Sequence, residues 1–273
     1  MKPLPFRPRS VIGMVHFSAL EGDPAFEGMD VVYDRALQDL NALLAGGVDV
    51  VLFENNFDSP KFERLPQAQA AHFEDLIKKL TPHTPVPWGV VPLWNDYVLG
   101  FRLCKTYGGC MVRVPVFVDT VETTYGIFEG HPEKVFAARS AFQADDVLLL
   151  ADVQVKHAKL VVPRPFQESL QDTINAGADA VVITGEWTGQ PPTLEQCVQA
   201  QEIARSKAYV FAGSGISFDN LPTYLPHLDG CIVGSAFKEG TIDVVQKTGP
   251  NIVEASRRYD VAKIKAFMQK AKE

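Results

Sequence analysis

The stretch Val147–Trp187, VLLLADVQVKHAKLVVPRPFQESLQDTINAGADAVVITGEW, holds one complete strand–helix–strand unit. Its first run, Val147–Val155, is apolar almost without interruption, as expected of a parallel strand covered on both faces. Pro165 stands where a helix begins, because the first helical residue has no backbone hydrogen bond to lose. The helical pattern Pro165–Ala176 closes at Gly177, and Ala178-Asp179 makes a short turn into the next run, Ala180–Trp187. Two such strands joined by a helix are the repeating unit of parallel α/β folds.

The unit recurs along the chain. Further apolar runs lie at Val11–Phe17, Val48–Asn55, Pro87–Trp94, Cys110–Val116, Ala208–Ser214 and Cys231–Lys238, giving eight in all. Helical patterns separate them at Asp30–Ala45, Pro66–Leu80, Asp96–Tyr107, Pro132–Ala144, Leu194–Ser206 and Asp219–Pro226, and Asp260–Lys270 follows the last run. Eight strands alternating with eight helices, without a linker or a change of composition, predict an α/β chain folded as a single (β/α)8 barrel over residues 1–273. A doubly wound sheet would have fewer strands and a Gly-x-Gly-x-x-Gly turn after the first, which is not there. Glu239–Tyr259 reads as an excursion inserted before the last helix.

Composition narrows the function. With 273 residues, 46% of them hydrophobic and 22% charged, the chain is neither disordered nor collagen-like and needs no disulfide or metal to fold. A net charge of −7 argues against gripping nucleic-acid phosphates. Cys104, Cys110, Cys197 and Cys231 form no Cys-x-x-Cys pair and read as buried free thiols of a reducing compartment. No apolar run approaches the ~20 residues of a membrane span. Met1–Ser10 has no apolar signal core, so the expected address is the cytoplasm.

In a barrel of this kind, chemistry collects at the carboxyl ends of the strands. The polar residues there are His16, Glu54 with Asn55, Asn95 with Asp96, Arg113, Asp152 with Gln154, Lys156 and His157, then Thr184, Ser214, Ser235 and Lys238. Asp152, Gln154 and Lys156 share a parity and are expected to face the lumen, with Val153, Val155 and His157 opposite. If the strand stays extended, Asp152 and Lys156 stand ~13 Å apart, so either the chain turns or the two have separate roles. A buried carboxylate needs a partner, and Arg113 on the neighbouring strand is the nearest candidate. Glu54 with His16 or Asp152 fits a base and an acid, and Lys156 fits stabilisation of an oxyanion or phosphate. A divalent metal on His16, Glu54 and Asp152 is the less favoured alternative, because no His-x-His or His-x-x-x-His spacing supports it. His157 is expected to cap a backbone group on the helix side.

Gly213-Ser214-Gly215 and Gly234-Ser235 end adjacent strands, where bare amides suit a phosphate. Thr184-Gly185 adds a hydroxyl and another amide. The following loop, Gly185–Pro192, has glycine hinges around Trp187, which either covers the mouth or packs on a neighbour. Trp94 either stacks on a flat substrate group or packs in the core.

Several of these motifs together resemble the BtpA family. They are Gly13-Met14-Val15-His16, Glu54-Asn55 with Asp58 and Pro60, Leu150-Ala151-Asp152-Val153 and Val155-Lys156-His157-Ala158. Ile183-Thr184-Gly185 with Thr188-Gly189, Gly213-Ser214-Gly215-Ile216 with Asn220, and Asp229-Gly230 with Ile232-Val233-Gly234-Ser235 and Phe237-Lys238 complete the likeness. The family is named for a factor needed for photosystem I accumulation, and the resemblance implies a barrel like those that bind ribulose-type phosphates. It supplies no settled reaction. The chain departs from the family pattern at Phe17–Gly22, Asn56-Phe57, Trp94 and Pro115. These changes cluster at strand ends one to four, whereas the phosphate half is kept.

The resulting expectation is an enzyme acting on a phosphorylated sugar or nucleoside-like metabolite, by hydrolytic or glycosyl cleavage or by isomerisation. Glu54, Asp152, Lys156 and His16 would do the chemistry. Asn55, Asn95, Arg113, Thr184, Gly185, Gly213, Ser214, Gly215, Gly234, Ser235 and Lys238 would hold the substrate. The expected partner is a small phosphate-bearing ligand, without nucleic acid or integral membrane contact and without a required cofactor, in a homo-oligomer. The alternative is a non-catalytic assembly factor for a membrane complex, with the barrel as scaffold; its weakness is that a scaffold has little use for a charged mouth.

Overall fold

A computed structural model describes residues 2–59, 61–240 and 257–273. Its first strands are β1 (Ser10–Phe17), β2 (Val50–Asn55), β3 (Trp88–Val91), β4 (Met111–Val114), β5 (Thr120–Thr123) and β6 (Gly126–Glu129). They are followed by β7 (Leu148–Val153), β8 (Lys159–Leu160), β9 (Ala180–Ile183), β10 (Tyr209–Ala212) and β11 (Gly230–Val233). Eight of these, all parallel, close into a barrel in the order β1-β11-β10-β9-β7-β4-β3-β2. The helices are α1 (Met29–Gly46), α2 (Gln67–Leu80), α3 (Tyr97–Tyr107), α4 (Pro132–Ala141), α5 (Phe166–Asn175), α6 (Leu194–Ala204), α7 (Leu221–Tyr224) and α8 (Val261–Lys270). The (β/α)8 architecture is thus the one that the alternating pattern predicts. Pro60 and most of the stretch 239–259 lie outside the described residues. Among those described, no helix is long and apolar enough to cross a membrane.

Strand parity divides the core in two. Ile12, Met14, Val50, Leu52, Met111, Leu148, Leu150, Ala180, Val182, Phe211 and Ile232 pack against one another inside the barrel. Their neighbours Val11, Val15, Phe17, Val51, Phe53, Val112, Leu149, Val181 and Val210 pack outward against the helices. Phe6 closes the amino-terminal end, edge-on to Phe211 at 6.4 Å between ring centroids. Cys104, Cys197 and Cys231 are buried and Cys110 is half-buried; burial pushes the Cys110 thiol up to about 11.

Three aspartates just ahead of strands fasten that end. The Asp49 carboxylate accepts from Val11 N–H at 2.9 Å, that of Asp179 from Leu149 N–H at 2.9 Å, and that of Asp229 from Val210 N–H at 2.8 Å. Each aspartate returns its own N–H to the carbonyl of the same residue. Every such clamp ties the strand that follows the aspartate to the adjacent one, β2 to β1, β9 to β7 and β11 to β10. Arg7 holds Asp49 at 2.6 and 2.9 Å, and the buried Arg139 holds Asp179 at 2.7 Å.

The sequence pattern does not anticipate a small antiparallel sheet of order β6-β5-β8 beside the barrel. Its inner face packs Val121 and Phe128 with Val116 and Val155. The strands are too short to show a period, and β8 pairs with a segment nearly forty residues away.

Removing the Asp179 carboxylate leaves Arg139 buried without its anion and Leu149 N–H without its acceptor. Asp179→Ala should lower the unfolding free energy in urea by about 3 kcal/mol, while sparing the opposite end of the barrel.

Candidate functional site

The parity that points Ile12 and Met14 into the lumen carries on to His16 one step further up. In the same way Leu52 leads to Glu54, Met111 to Arg113, Leu150 to Asp152, Val182 to Thr184, Phe211 to Gly213 and Ile232 to Gly234. An apolar lumen is therefore topped by one polar layer.

His16 and Glu54 are register partners on β1 and β2, with Nε2 3.1 Å from the Glu54 carboxylate. Burial would raise the Glu54 carboxyl, but the hydrogen bond and charge of His16, with Arg113 and Lys156, outweigh it and hold the group down to about 2. Across the lumen, Arg113 on β4 grips Asp152 on β7 through Nε and one terminal nitrogen, both at 2.7 Å. Burial opposes the guanidinium charge, and the attraction of Asp152 and Glu54 restores it.

Two large side chains cross this layer because the positions facing them carry none. A Cβ on Gly234 would lie 2.9 Å from His16 Cε1, and one on Gly213 would lie 2.5 Å from Val182 Cγ1, 2.9 Å from Thr184 Cγ2 and 3.3 Å from an Arg113 terminal nitrogen. These glycines were expected to offer amides to a phosphate; their close approach to His16 and Arg113 is a separate requirement.

Past the layer, several expectations need correction. Gln154 adopts a φ of 50°, so the strand ends at Val153 and the parity argument stops there. The Gln154 amide donates to Arg164 O at 3.2 Å and Ser169 Oγ at 3.0 Å, away from the lumen. The turn answers the question of spacing between Asp152 and Lys156: the chain bends. Lys156 N–H donates to Thr184 Oγ1 at 3.1 Å, and its side chain stands within electrostatic reach of Glu54 and His157. Among the described residues, the His157 ring caps no backbone group; Nε2 meets Thr188 Oγ1 at 2.8 Å and the ring packs edge-on to Trp187. Burial, with Lys156 and Lys61 nearby, pulls that imidazole down to about 4, so it is neutral near pH 7.

Asn55 and Asn95 are largely taken up by structure. The Asn55 amide donates to Asp58 at 2.8 Å, whose other oxygen accepts from Leu20 N–H at 2.6 Å. The Asn95 amide reaches Glu129 O at 3.1 Å and so holds β6. Only their buried carbonyl oxygens, without partners among the described residues, remain for a substrate. Lys238 is nearly fully buried, its ammonium 5.5 Å from the Phe57 ring centroid and 5.9 Å from that of Tyr259. Trp94 packs on Phe128 at 5.4 Å, which favours the core reading of that residue. Asp152 has both oxygens on Arg113, so it is not free to join His16 and Glu54 around a metal. Among the described residues, no group of three His, Cys, Asp or Glu side chains is placed to hold one.

The loop after β9 folds onto the expected anion turns. Ser214 Oγ donates to Gln190 O at 2.8 Å and accepts from Gly185 N–H at 3.1 Å. A Cβ on Gly185 would lie 2.4 Å from Gln190 O, and one on Gly215 2.0 Å from Pro191 N. The Ser214 hydroxyl is thus engaged by the loop, whereas the amides of Ser214, Gly215, Ser235 and Ala236 have no backbone acceptor among the described residues.

One residue near the site escapes the sequence reading. Lys61, in the loop between β2 and α2, is half-buried, hydrogen-bonds Asn56 Oδ1 at 3.3 Å and lies within electrostatic reach of Glu54, Asp58 and His157. Nothing local marks it; the fold alone brings it there.

Two outcomes test this geometry. Stability linked to Glu54 is complete above its ordinary value near 4.5 and is lost as pH falls towards about 2. Glu54→Gln should remove that part of the acid unfolding curve, on the order of 3 kcal/mol, in thermal melts compared between pH 5 and pH 2. Gly234→Ala should swing His16 off Glu54 and cost about 1–3 kcal/mol, the displacement being read from a crystal structure of the variant.

Comparison with known proteins agrees with the motifs. A protein of Pyrococcus furiosus is 33% identical over 241 residues, 88% of this chain and 90% of that one. The photosystem I biogenesis protein BtpA of Synechocystis sp. is 33% identical over 231 residues, 84% of this chain and 80% of its own. Solved barrels share the fold at low identity. A Mycobacterium tuberculosis tryptophan synthase structure has a TM-score of 0.60 at 13% identity, covering 97% of this chain and 93% of that one. The thiamine phosphate pyrophosphorylase of P. furiosus has a TM-score of 0.56 at 14%, covering 96% and 95%. With residues 7–272 matching its family pattern, the chain belongs to the BtpA family.

Proposed function

We propose that this protein is a cytoplasmic enzyme acting on a phosphorylated sugar or nucleoside-like metabolite by acid–base chemistry in the barrel mouth. The observation that carries this reading is the 3.1 Å contact of His16 with an ionised Glu54, beside the Arg113–Asp152 pair. A carboxylate held ionised beside an imidazole orients the ring towards the mouth, so His16 is the group placed to exchange a proton with the substrate and Glu54 the group that positions it. Asp152, doubly bonded to Arg113, fixes that guanidinium in place rather than exchanging protons. Arg113 and Lys156 then face negative charge that develops on the substrate.

The phosphate is assigned to the turns after β10 and β11, where the amides of Gly215 and Ser235 have no backbone acceptor among the described residues. The names of some barrels of this fold support the substrate class, since thiamine phosphate pyrophosphorylase carries a phosphate in its name. Binding of a phosphate there requires the Gln190 carbonyl to leave Ser214, which gives the loop after β9 the part of a cover.

A second reading, an assembly factor, is favoured by the exposed apolar side chains of Ile127 and Val162 around the small sheet and by the name of the Synechocystis relative. The two readings part in one experiment. Ribose 5-phosphate and related sugar phosphates, at a hundred times their dissociation constant, should stabilise the protein by ~2.7 kcal/mol in thermal melts. Ser235→Glu should abolish that shift, whereas His16→Asn and Glu54→Gln should keep it and lose turnover. Absence of any shift across sugar phosphates and nucleotides would sink the enzymatic reading.

A further inference from the structure

The two ionisable side chains that cross the top layer each abut one of the glycine turns assigned to phosphate. A Cβ on Gly234, which leads into Ser235, would lie 2.9 Å from His16 Cε1 and 3.7 Å from its Nε2. One on Gly213, which leads into Ser214, would lie 3.3 Å from an Arg113 terminal nitrogen. These glycines follow β10 and β11, which are paired neighbours in the barrel. The imidazole and the guanidinium therefore both reach the phosphate half of the mouth, one at each turn.

The contacts of the layer limit what its groups can do. Asp152 has both oxygens on Arg113, each at 2.7 Å, and its side chain is fully buried. Glu54 lies 3.1 Å from His16 Nε2 and is held ionised. Cleavage of a glycosidic bond works between two carboxyl groups, one of them protonated. Asp152 and Glu54 do not form such a couple, and the layer instead presents a base and a fixed cation. An ionised carboxylate only accepts hydrogen bonds, so in the neutral ring His16 Nε2 carries the proton and Nδ1 keeps a lone pair. Nδ1 is buried without a hydrogen-bond partner among the described residues, a cost that a ligand in the mouth removes. Arg113 spends Nε and one terminal nitrogen on Asp152, and its other terminal nitrogen has no hydrogen-bond partner among the described residues. A guanidinium fixed in this way stabilises an oxyanion without having to reorganise.

We propose that the protein enolises a small hydroxy-ketone phosphate, removing and returning one proton at a carbon beside the carbonyl and near the phosphate-bearing end. The inference rests on the phosphate assignment after β10 and β11 and narrows acid–base chemistry there to one reaction class. His16 takes the proton from carbon, and the electron pair of that C–H bond becomes a C=C bond. The π pair of the carbonyl moves onto its oxygen, which Arg113 faces as the enolate forms. Return of the proton to the same carbon regenerates the ketone. Its return to the former carbonyl carbon, with a hydroxyl proton passing to the enolate oxygen, gives the isomeric carbonyl compound. Nothing is oxidised or reduced overall, and no co-reactant is consumed.

Proton NMR in D2O tests it with dihydroxyacetone phosphate and ribulose 5-phosphate, and with methyl ribofuranoside 5-phosphate as a probe of glycosidic cleavage. The ketose phosphates should exchange a carbon-bound proton for deuterium at least about 100-fold faster with the protein than without it. In ribulose 5-phosphate the C3 proton, nearer the phosphate, should exchange ahead of the C1 protons. His16→Asn should return the rate to within about tenfold of the protein-free value. The same variant should keep the thermal shift produced by the ketose phosphates, which separates lost chemistry from lost folding or binding. Cleavage of the glycoside, or ketose phosphate that binds without exchange, overturns the enolisation and leaves the phosphate site standing. Exchange that survives His16→Asn overturns the assignment of the base, and exchange that favours C1 overturns the position of the reacting carbon. A panel that gives no thermal shift defeats the inference together with the phosphate reading beneath it.

Discussion

Two cationic or ionisable side chains, Arg113 and His16, cross the top of a closed lumen, and everything around them is arranged to let them do so. A barrel interior is a packed core, so each inward position takes up volume or leaves it to a neighbour. At the top layer the neighbours leave it: Gly213 yields to Arg113 and Gly234 to His16. Burial of the guanidinium is then offset by a bidentate carboxylate, Asp152, and the imidazole by Glu54. Replacing either glycine by a bulkier residue, or removing the carboxylate partner of either side chain, would undo the layer. The polar groups of the mouth thus form one interlocked unit.

The two ends of the barrel differ in how fully their polar groups are engaged. At the amino-terminal end, Asp49, Asp179 and Asp229 lock neighbouring strands with reciprocal backbone and side-chain bonds, and their charges are answered by Arg7, by Arg139 and by neutral partners. At the carboxyl end, the buried oxygens of Asn55 and Asn95 and the amides after β10 and β11 keep bonding capacity among the described residues. Unsatisfied polar atoms cost stability in an isolated protein, and they are tolerated where a ligand completes them. The loop after β9 meets part of that demand itself by placing the Gln190 carbonyl on Ser214.

Much of this is legible in the order of residues alone. The eight runs of apolar residues set the barrel, and alternation along Leu148, Leu150 and Asp152 sets which carboxylate enters the lumen. The Arg113–Asp152 pair follows from adjacency of the fourth and fifth runs and the cost of an unpaired buried charge. The same reasoning fails two residues later, because parity holds only while the backbone stays extended and Gln154 takes a positive φ. The eighth run, expected to extend to Lys238, stops at Val233, because the chain bends into a 3-10 turn after Gly234, which sets the Lys238 ammonium 5.5 and 5.9 Å from the centroids of two aromatic rings. The small sheet escapes notice because its strands are short and one of them joins from far along the chain.

What the amino-acid order determined by itself was therefore local and periodic. It set the strand–helix alternation, the apolar faces, and the parity that lifts His16, Glu54, Arg113, Asp152 and Thr184 onto one side of their strands. Only closure of the ring decided which of them meet. Neighbours across a lumen are set by strand order and register, and these place Gly213 under Arg113, Gly234 against His16 and Lys61 within reach of Glu54 irrespective of their separation along the chain. Backbone reversals that depend on tertiary contacts, at Gln154 and after Gly234, decided the rest, since the energy that holds them comes from partners the local sequence does not contain.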